Sequence, residues 1–330
     1  MDLNTPEIQR LVLSIGSCCA LAYKDRFGII PGGIIVPGFL LILLLLSPLW
    51  AMAAVLLSFI IYFIYRNWLD RVDYKRRTQM YILATLSVLL SYPVALAYMA
   101  AGILPTSIDS LSGTLIPGVI ALNFNRQGVI PVGRAIVIAT LVTACLAAVI
   151  LVIGVTIFQL DFDALRPYYP SYGVVRFHGR VLLFLISLVT GFLIYRRTHL
   201  RAGGYMVAPI AAALLLQPLS ALMFGIGCIL VYFIIALLAR WSLIIGLKRY
   251  VLALLYSMAY VWGMEIAFIH LGFTSLPFQG NHLLVIIAMM SYANDCILYD
   301  ARRVLPWMIL LLLVVVVALL ITRSLIASWA

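Results

Sequence analysis

Ionisable side chains are scarce in this chain. Eleven acids and 22 bases among 330 residues leave only 10% of positions charged, against about a quarter in an ordinary soluble domain. That shortage excludes a solvated globular surface. With 65% hydrophobic residues and a mean hydropathy of +1.15, the class that fits is an all-α polytopic membrane protein. Further absences remove chemistry. There is no Walker-type GxxxxGK[ST], no CxxC pair and no paired carboxylates at a credible acid–base site. The four histidines, His178, His199, His270 and His282, lack metal-ligand spacing, so neither a metal nor another cofactor is expected. The five cysteines, Cys18, Cys19, Cys145, Cys228 and Cys296, fall within or beside apolar segments and read as small buried hydrophobes. The opening MDLNTPEIQR carries acids and no basic region before Arg10, which argues against a removable signal peptide.

Hydrophobic segments are what the chain has in abundance. They fall at about 6–23, 29–46, 49–65, 78–101, 113–125 and 135–158, then at about 178–195, 203–217, 219–239, 249–271, 282–298 and 304–325. Segments 113–125 and 203–217 are shorter than the roughly 20 residues of a straight span and can be tilted, broken or re-entrant. If every segment crosses and the loop RNWLDRVDYKRR (66–77) is cytoplasmic, only Arg10, Arg166, Arg176, Arg180 and Arg323 of the 22 basic residues fall outside. This is the asymmetry of the positive-inside rule, and it places both termini outside. The formal net charge of +11 is then a cytoplasmic belt suited to orientation and to anionic lipid. No nucleic-acid partner is expected.

The most informative stretch is GIIPGGIIVPG, residues 28–38. Each proline removes an N–H and blocks the carbonyl one turn earlier, so the stretch cannot be a plain helix. Broken backbone at membrane depth is tolerated only where protein or a cavity surrounds it. It therefore points inward, beside the charged cluster Tyr23-Lys24-Asp25-Arg26.

The two sets of segments also repeat. Tyr23-Lys24 matches Tyr195-Arg196, Pro37 matches Pro209, Pro48 matches Pro218, Tyr62-Phe63 matches Tyr232-Phe233 and Arg76-Arg77 matches Lys248-Arg249, all at spacings of 170 to 172 residues. Asn125 and Arg134 match Asn294 and Arg303 at a spacing of 169. The expected domains are a first membrane repeat at 1–158, an external linker at 159–177 and a diverged second repeat at 178–330. An even number of segments per repeat makes the repeats parallel.

The first half, with YKDRFGIIPGGIIVPGFL near its start and LIPGVIALNFNRQG (115–128) near its end, resembles the PgsC/CapC membrane subunit of poly-gamma-glutamate synthase. The likeness covers about residues 6–158, and the second half looks like a diverged duplicate. The resemblance implies a subunit that is not itself an enzyme, in the cytoplasmic membrane of a bacterium or archaeon. It would support a cytoplasmic ATP-dependent Mur-type amide ligase (PgsB/CapB-like), together with an extracytoplasmic PgsA/CapA-like subunit, and export the acidic polyglutamate chain. A secondary transporter of two six-segment halves and a pure membrane scaffold are the competing classes.

A polyanion crossing a bilayer needs donors or counter-charges along its path. The candidates are Lys24, Arg26, Pro31, Gly32, Gly33, Pro37, Gly38, Pro117, Gly118, Asn123, Asn125, Arg126 and Arg134. The glycines have a second explanation, close helix packing. Glu265 and His270 form a separate candidate intramembrane polar site, although their spacing does not put them squarely on one face. Glu7 and Arg10 are one turn apart and can pair near the outer end of the first segment. Asp295, Asp300, Arg302 and Arg303 are expected to face the cytoplasm.

Overall fold

The computed structural model describes residues 5–69, 76–102, 110–157, 177–201, 204–241, 244–273, 276–278 and 282–327. Among them every regular element is a helix. Asp70 to Lys75 of the basic loop, and residues 159–176 of the expected linker, lie outside the described residues.

The chain clusters into two units, Met1–Thr106 with Ser112–Tyr169, and Ser107–Leu111 with Pro170–Ala330. The first contains α1 (Pro6–Phe27), α2 (Val36–Leu46), α3 (Pro48–Ile64) with a π-helical extension (Tyr65–Leu69), α4 (Arg76–Ala100), most of α5 (Ser110–Gln127) and α6 (Val129–Thr156). The second contains α7 (Phe177–Thr198), α8 (Gly204–Leu214), α9 (Pro218–Trp241), α10 (Leu247–His270), α11 (His282–Tyr299) and α12 (Ala301–Ala327). Both units run a long helix, a short one, then four longer ones. In each, the first, second and sixth helices pack on one another.

Among the described residues eight helices are long and apolar enough to cross a membrane, so the protein is an all-helical, polytopic membrane protein. Their outward faces are the lipid surface: Leu141, Val149 and Val152 of α6 and Ile309, Leu313 and Val317 of α12 are all exposed. Polar residues inside the units are largely neutralised by their own helix. The hydroxyls of Ser17, Ser58, Thr143 and Ser257 each donate to the carbonyl one turn back. α11 is the opposite of a lipid-facing helix. Every residue from His282 to Cys296 is buried, so it runs through the interior of its unit.

The short segments come out differently from each other. Segment 113–125 belongs to an 18-residue helix, long enough at 1.5 Å per residue to cover about 27 Å. Segment 203–217 is helical only over the 11 residues of α8, about 16 Å, roughly half a bilayer core. α2 is equally short at 11 residues. Two of the cysteines also depart from expectation: Cys19, Cys228 and Cys296 are buried, but Cys18 and Cys145 are exposed. In hydrocarbon the surroundings are already apolar, so a thiol gains little from facing inward.

How α2 completes a crossing follows from its contact with α1. Ile8, Gln9 and Val12 of α1 line one small cleft with Ile42, Leu45 and Leu46 of α2. At the other end Gly16 meets Gly38 backbone to backbone. The helices are therefore antiparallel, with the end of α2 level with the start of α1. The N-terminus of α2 stands opposite the middle of α1, and residues 28–35 cover the rest of the depth without helix.

Close approach explains why these positions are glycine. A Cβ on Gly38 would lie 2.9 Å from Leu13 Cα, and one on Gly118 would lie 2.6 Å from the Leu83 carbonyl oxygen. Gly38→Ala and Gly118→Ala are each expected to destabilise the protein by about 1–3 kcal/mol through forced backbone shifts. Gly225→Ala, where nothing lies within 4 Å of the added carbon, should lose nothing. Thermal unfolding of the detergent-solubilised variants checks this, and equal melting of all three would contradict it.

Candidate functional site

The site builds up from the chain turn that follows α1. α1 ends because Gly28 takes the left-handed conformation (φ 73°) and its N–H closes on Lys24 O at 2.8 Å. The chain then runs through Pro31, which is buried, and through Gly32 and Gly33, which have φ of 69° and 142°. Only glycine adopts such angles without strain. The glycines are also crowded: a Cβ on Gly32 would strike Ile136 of α6 at 2.9 Å, and one on Gly33 would strike Val119 of α5 at 2.8 Å.

Since this segment has left the helix, its peptide groups need other partners, and α5 supplies them. Asn123 Nδ2 donates to Gly32 O at 2.7 Å and to Val119 O at 2.8 Å. The Ile30 N–H donates to Gln127 Oε1 at 2.9 Å, while Gln127 Nε2 donates to Asn123 Oδ1 at 3.2 Å. Two amide side chains one helical turn apart thus form a latch on the non-helical strand. α5 is itself anchored to α4. The Gly118 N–H donates to Ser87 Oγ at 2.9 Å, and that hydroxyl donates to Thr114 O, satisfying a carbonyl near Pro117.

The latch fixes which ends of the helices lie together. Lys24 and Arg26 end α1, Arg126 ends α5 and Arg134 begins α6, so these four bases share one end of unit 1. Arg66 joins them. Its guanidinium donates to Tyr62 OH at 2.6 Å, and Tyr62 stacks edge-on against Phe124 of α5. Arg26, Arg66, Arg126 and Arg134 are exposed, and Lys24 is 3.6 Å from Asp25. Asn125 is partly buried.

Several expectations need adjustment. The helix that follows GIIPGG does not begin at the basic end: Val36, Pro37 and Gly38 are buried at mid-depth, where the α1–α2 contact holds them. Gly32, Gly33, Gly38 and Gly118 all sit where backbones or side chains meet tightly. A leucine at any of them would therefore report on folding before it reported on passage. The structure does not bring Glu265 and His270 together, since Glu265 is fully buried and His270 is exposed. Glu7 and Arg10 are both buried at the start of α1. Asp295, expected in the cytoplasm beside Asp300, Arg302 and Arg303, is fully buried because it lies on the enclosed part of α11.

The sequence marks Gln127 as a polar residue ending a short segment but not as the partner of Ile30, and it does not reveal, in unit 2, a group formed by Arg201, Arg249, Tyr250, Asn294 and Asp295. Arg201 Nη1 donates to Tyr250 OH at 3.2 Å, and its Nε is 3.8 Å from Asp295 Oδ2. Arg249 Nε donates to Asn294 Oδ1 at 3.0 Å, and Asn294 Nδ2 donates to Asp295 Oδ1 at 3.3 Å. The signal was present: acidic residues are so few that one inside an apolar segment is itself a marker.

Breaking the latch should free the strand. Asn123→Leu leaves the Gly32 carbonyl without its donor at a cost of about 1–3 kcal/mol, and hydrogen exchange of the amides in 28–36 should rise well above wild type while α3 stays protected. Unchanged exchange in 28–36 would show that the amides do not hold the segment.

The family model described as capsule biosynthesis CapC matches residues 15–133 and again residues 186–294. No curated protein and no solved structure matches the chain. The first match contains the non-helical strand, the latch and most of the basic end. The second contains Arg201, Arg249, Tyr250 and, at its boundary, Asn294. A family model that accounts for both halves in this way places the chain in the capsule biosynthesis CapC family, as a membrane protein in which the family's region occurs twice.

Proposed function

We propose that this protein is the non-catalytic membrane subunit of a synthase for poly-gamma-glutamate or a closely similar acidic capsule polymer. It supports a cytoplasmic ATP-dependent amide ligase and leads the nascent chain out. The observation that carries the reading is the CapC match in both halves. Physical chemistry supports the finer parts. Nucleotide chemistry falls to a partner because the sequence contains no GxxxxGK[ST]. The basic end of unit 1 faces the cytoplasm by the positive-inside rule, which puts Lys24, Arg26, Arg66, Arg126 and Arg134 where a ligase delivers its product. Exposed guanidinium and ammonium groups attract a polycarboxylate over about a Debye length and raise its local concentration.

In this scheme the Pro-Gly segments hold the helices that carry the charges, and the charges meet the polymer. A Mur-type ligase docks at the basic end, and a CapA-like subunit works on the outer side of the cytoplasmic membrane. Affinity co-purification from native membranes, followed by an ATP- and glutamate-dependent polymer assay on the eluate, tests the assembly. An ATP-dependent ligase and an acidic polymer should both be recovered. Neutralising the mouth with K24Q/R26Q/R126Q/R134Q should lower polymer yield several-fold at unchanged membrane abundance, with the deficit shrinking at high salt as the wild type loses its electrostatic advantage. A chain that purifies without ligase or polymer would overturn the proposal.

A further inference from the structure

We propose that unit 2 contains an oxyanion-binding site at the approach to α8, and that it takes a carboxylate of the acidic polymer. The identity of the ligand rests on the function proposed above; the site itself does not.

The two units differ at one equivalent junction. In unit 1 the chain leaving the first helix is held to the last turns of the fifth helix by neutral amides, Asn123 and Gln127. In unit 2 the chain leaving α7 carries Arg201, and the last turns of α11 carry Asn294 and Asp295. The first turn of α10 adds Arg249 and Tyr250. The same junction has thus been rebuilt from charged groups. Burying charge at a membrane-spanning helix is costly and is retained chiefly where it does something. A latch alone does not require it, because unit 1 manages with amides.

The geometry is open to an additional anion. Two guanidiniums face one carboxylate among the five residues of this group. The Arg201–Asp295 separation of 3.8 Å is well beyond the 2.7–2.9 Å of a charge-assisted hydrogen bond, and Arg201 divides its donors between Asp295 and Tyr250 OH. Arg249 engages Asn294 through Nε, which leaves the fork of its terminal nitrogens outside that bond. Such a fork matches the two oxygens of a carboxylate. The floor of the site is closed, since Asn294 and Asp295 are fully buried. Its rim is reachable, since Arg201, Arg249 and Tyr250 are each partly exposed.

The ligand carboxylate sits on the Arg249 fork and takes the place of Asp295 at Arg201. Asp295 is then a built-in competitor that keeps the site neutralised when empty. This predicts opposite signs for two substitutions. Arg249→Gln removes the fork and weakens binding, whereas Asp295→Asn removes the competitor and strengthens it. Misfolding cannot imitate the second result.

The experiment uses the full-length protein purified in detergent and a short synthetic oligoglutamate as probe, with binding measured by thermophoresis at low salt. Arg249→Gln should weaken binding about tenfold, Arg249→Lys should fall between it and wild type, and Asp295→Asn should tighten binding several-fold. Unchanged affinity in Arg249→Gln, or loss of affinity in Asp295→Asn, overturns the site. Displacement of the probe by inorganic phosphate at equal carboxylate-equivalent concentration, or by anionic but not neutral lipid in nanodiscs, overturns the polymer assignment. Binding lost in K24Q/R26Q/R126Q/R134Q but intact in Arg249→Gln rejects this site and leaves the proposed function standing. The predicted pair of opposite effects, in a protein that recovers no ligase from membranes, keeps the site and rejects the function.

Discussion

Inside hydrocarbon, a peptide group that leaves a helix has no water to turn to, and each one left unsatisfied costs several kcal/mol. Residues 28–35 pose that problem for unit 1, and the arrangement around them answers it. Asn123 and Gln127 pair with the strand, Gly32 and Gly33 allow it to bend beneath α5 and α6, and the Gly16–Gly38 contact lets α2 begin at mid-depth. Remove any one and the others lose their purpose. The strand would otherwise need either a full helix, which Pro31 forbids, or a water-filled cleft.

The same constraint explains how charge comes to lie near a half-depth helix. Because the non-helical strand occupies the basic end of unit 1, the last turn of α5 packs on it through Asn123 and Gln127, close to the end of α1 and the start of α6. Their terminal bases are therefore neighbours by construction. The grouping of these bases is thus tied to the broken segment, which is why two features that look separate along the chain lie at the same end of unit 1.

Much of this was legible in the sequence because it follows from single residues with strong local effects. Pro31, Gly32 and Gly33 announced non-helical backbone, whereas Pro37 and Gly38 fall in the first turn of α2. Most hydrophobic segments gave their helices to within a few residues, those at 29–46 and 135–158 less closely. What stayed hidden depends on partners far apart in sequence. Nothing local distinguishes Gln127, which meets Ile30, from any polar residue at a helix end. The burial of Asp295 was missed for a similar reason: its neighbours Asn294 and Asp300 look like a solvated boundary, and only the enclosure of α11 by the rest of its unit puts it inside. The separation of Glu265 from His270 was visible in their spacing, which places them on different faces of α10.

Duplication gives the second unit a freedom that the first does not have. While unit 1 keeps the amide latch and exposed bases, unit 2 can tolerate substitutions at the equivalent junction provided that the buried groups remain paired. The group of Arg201, Arg249, Tyr250, Asn294 and Asp295 meets that condition, each member having a partner. A neutral latch only closes a strand onto a helix. A charged one closes it with a strength that depends on the other charges near it, so its replacement by charge makes the contact sensitive to its electrostatic surroundings.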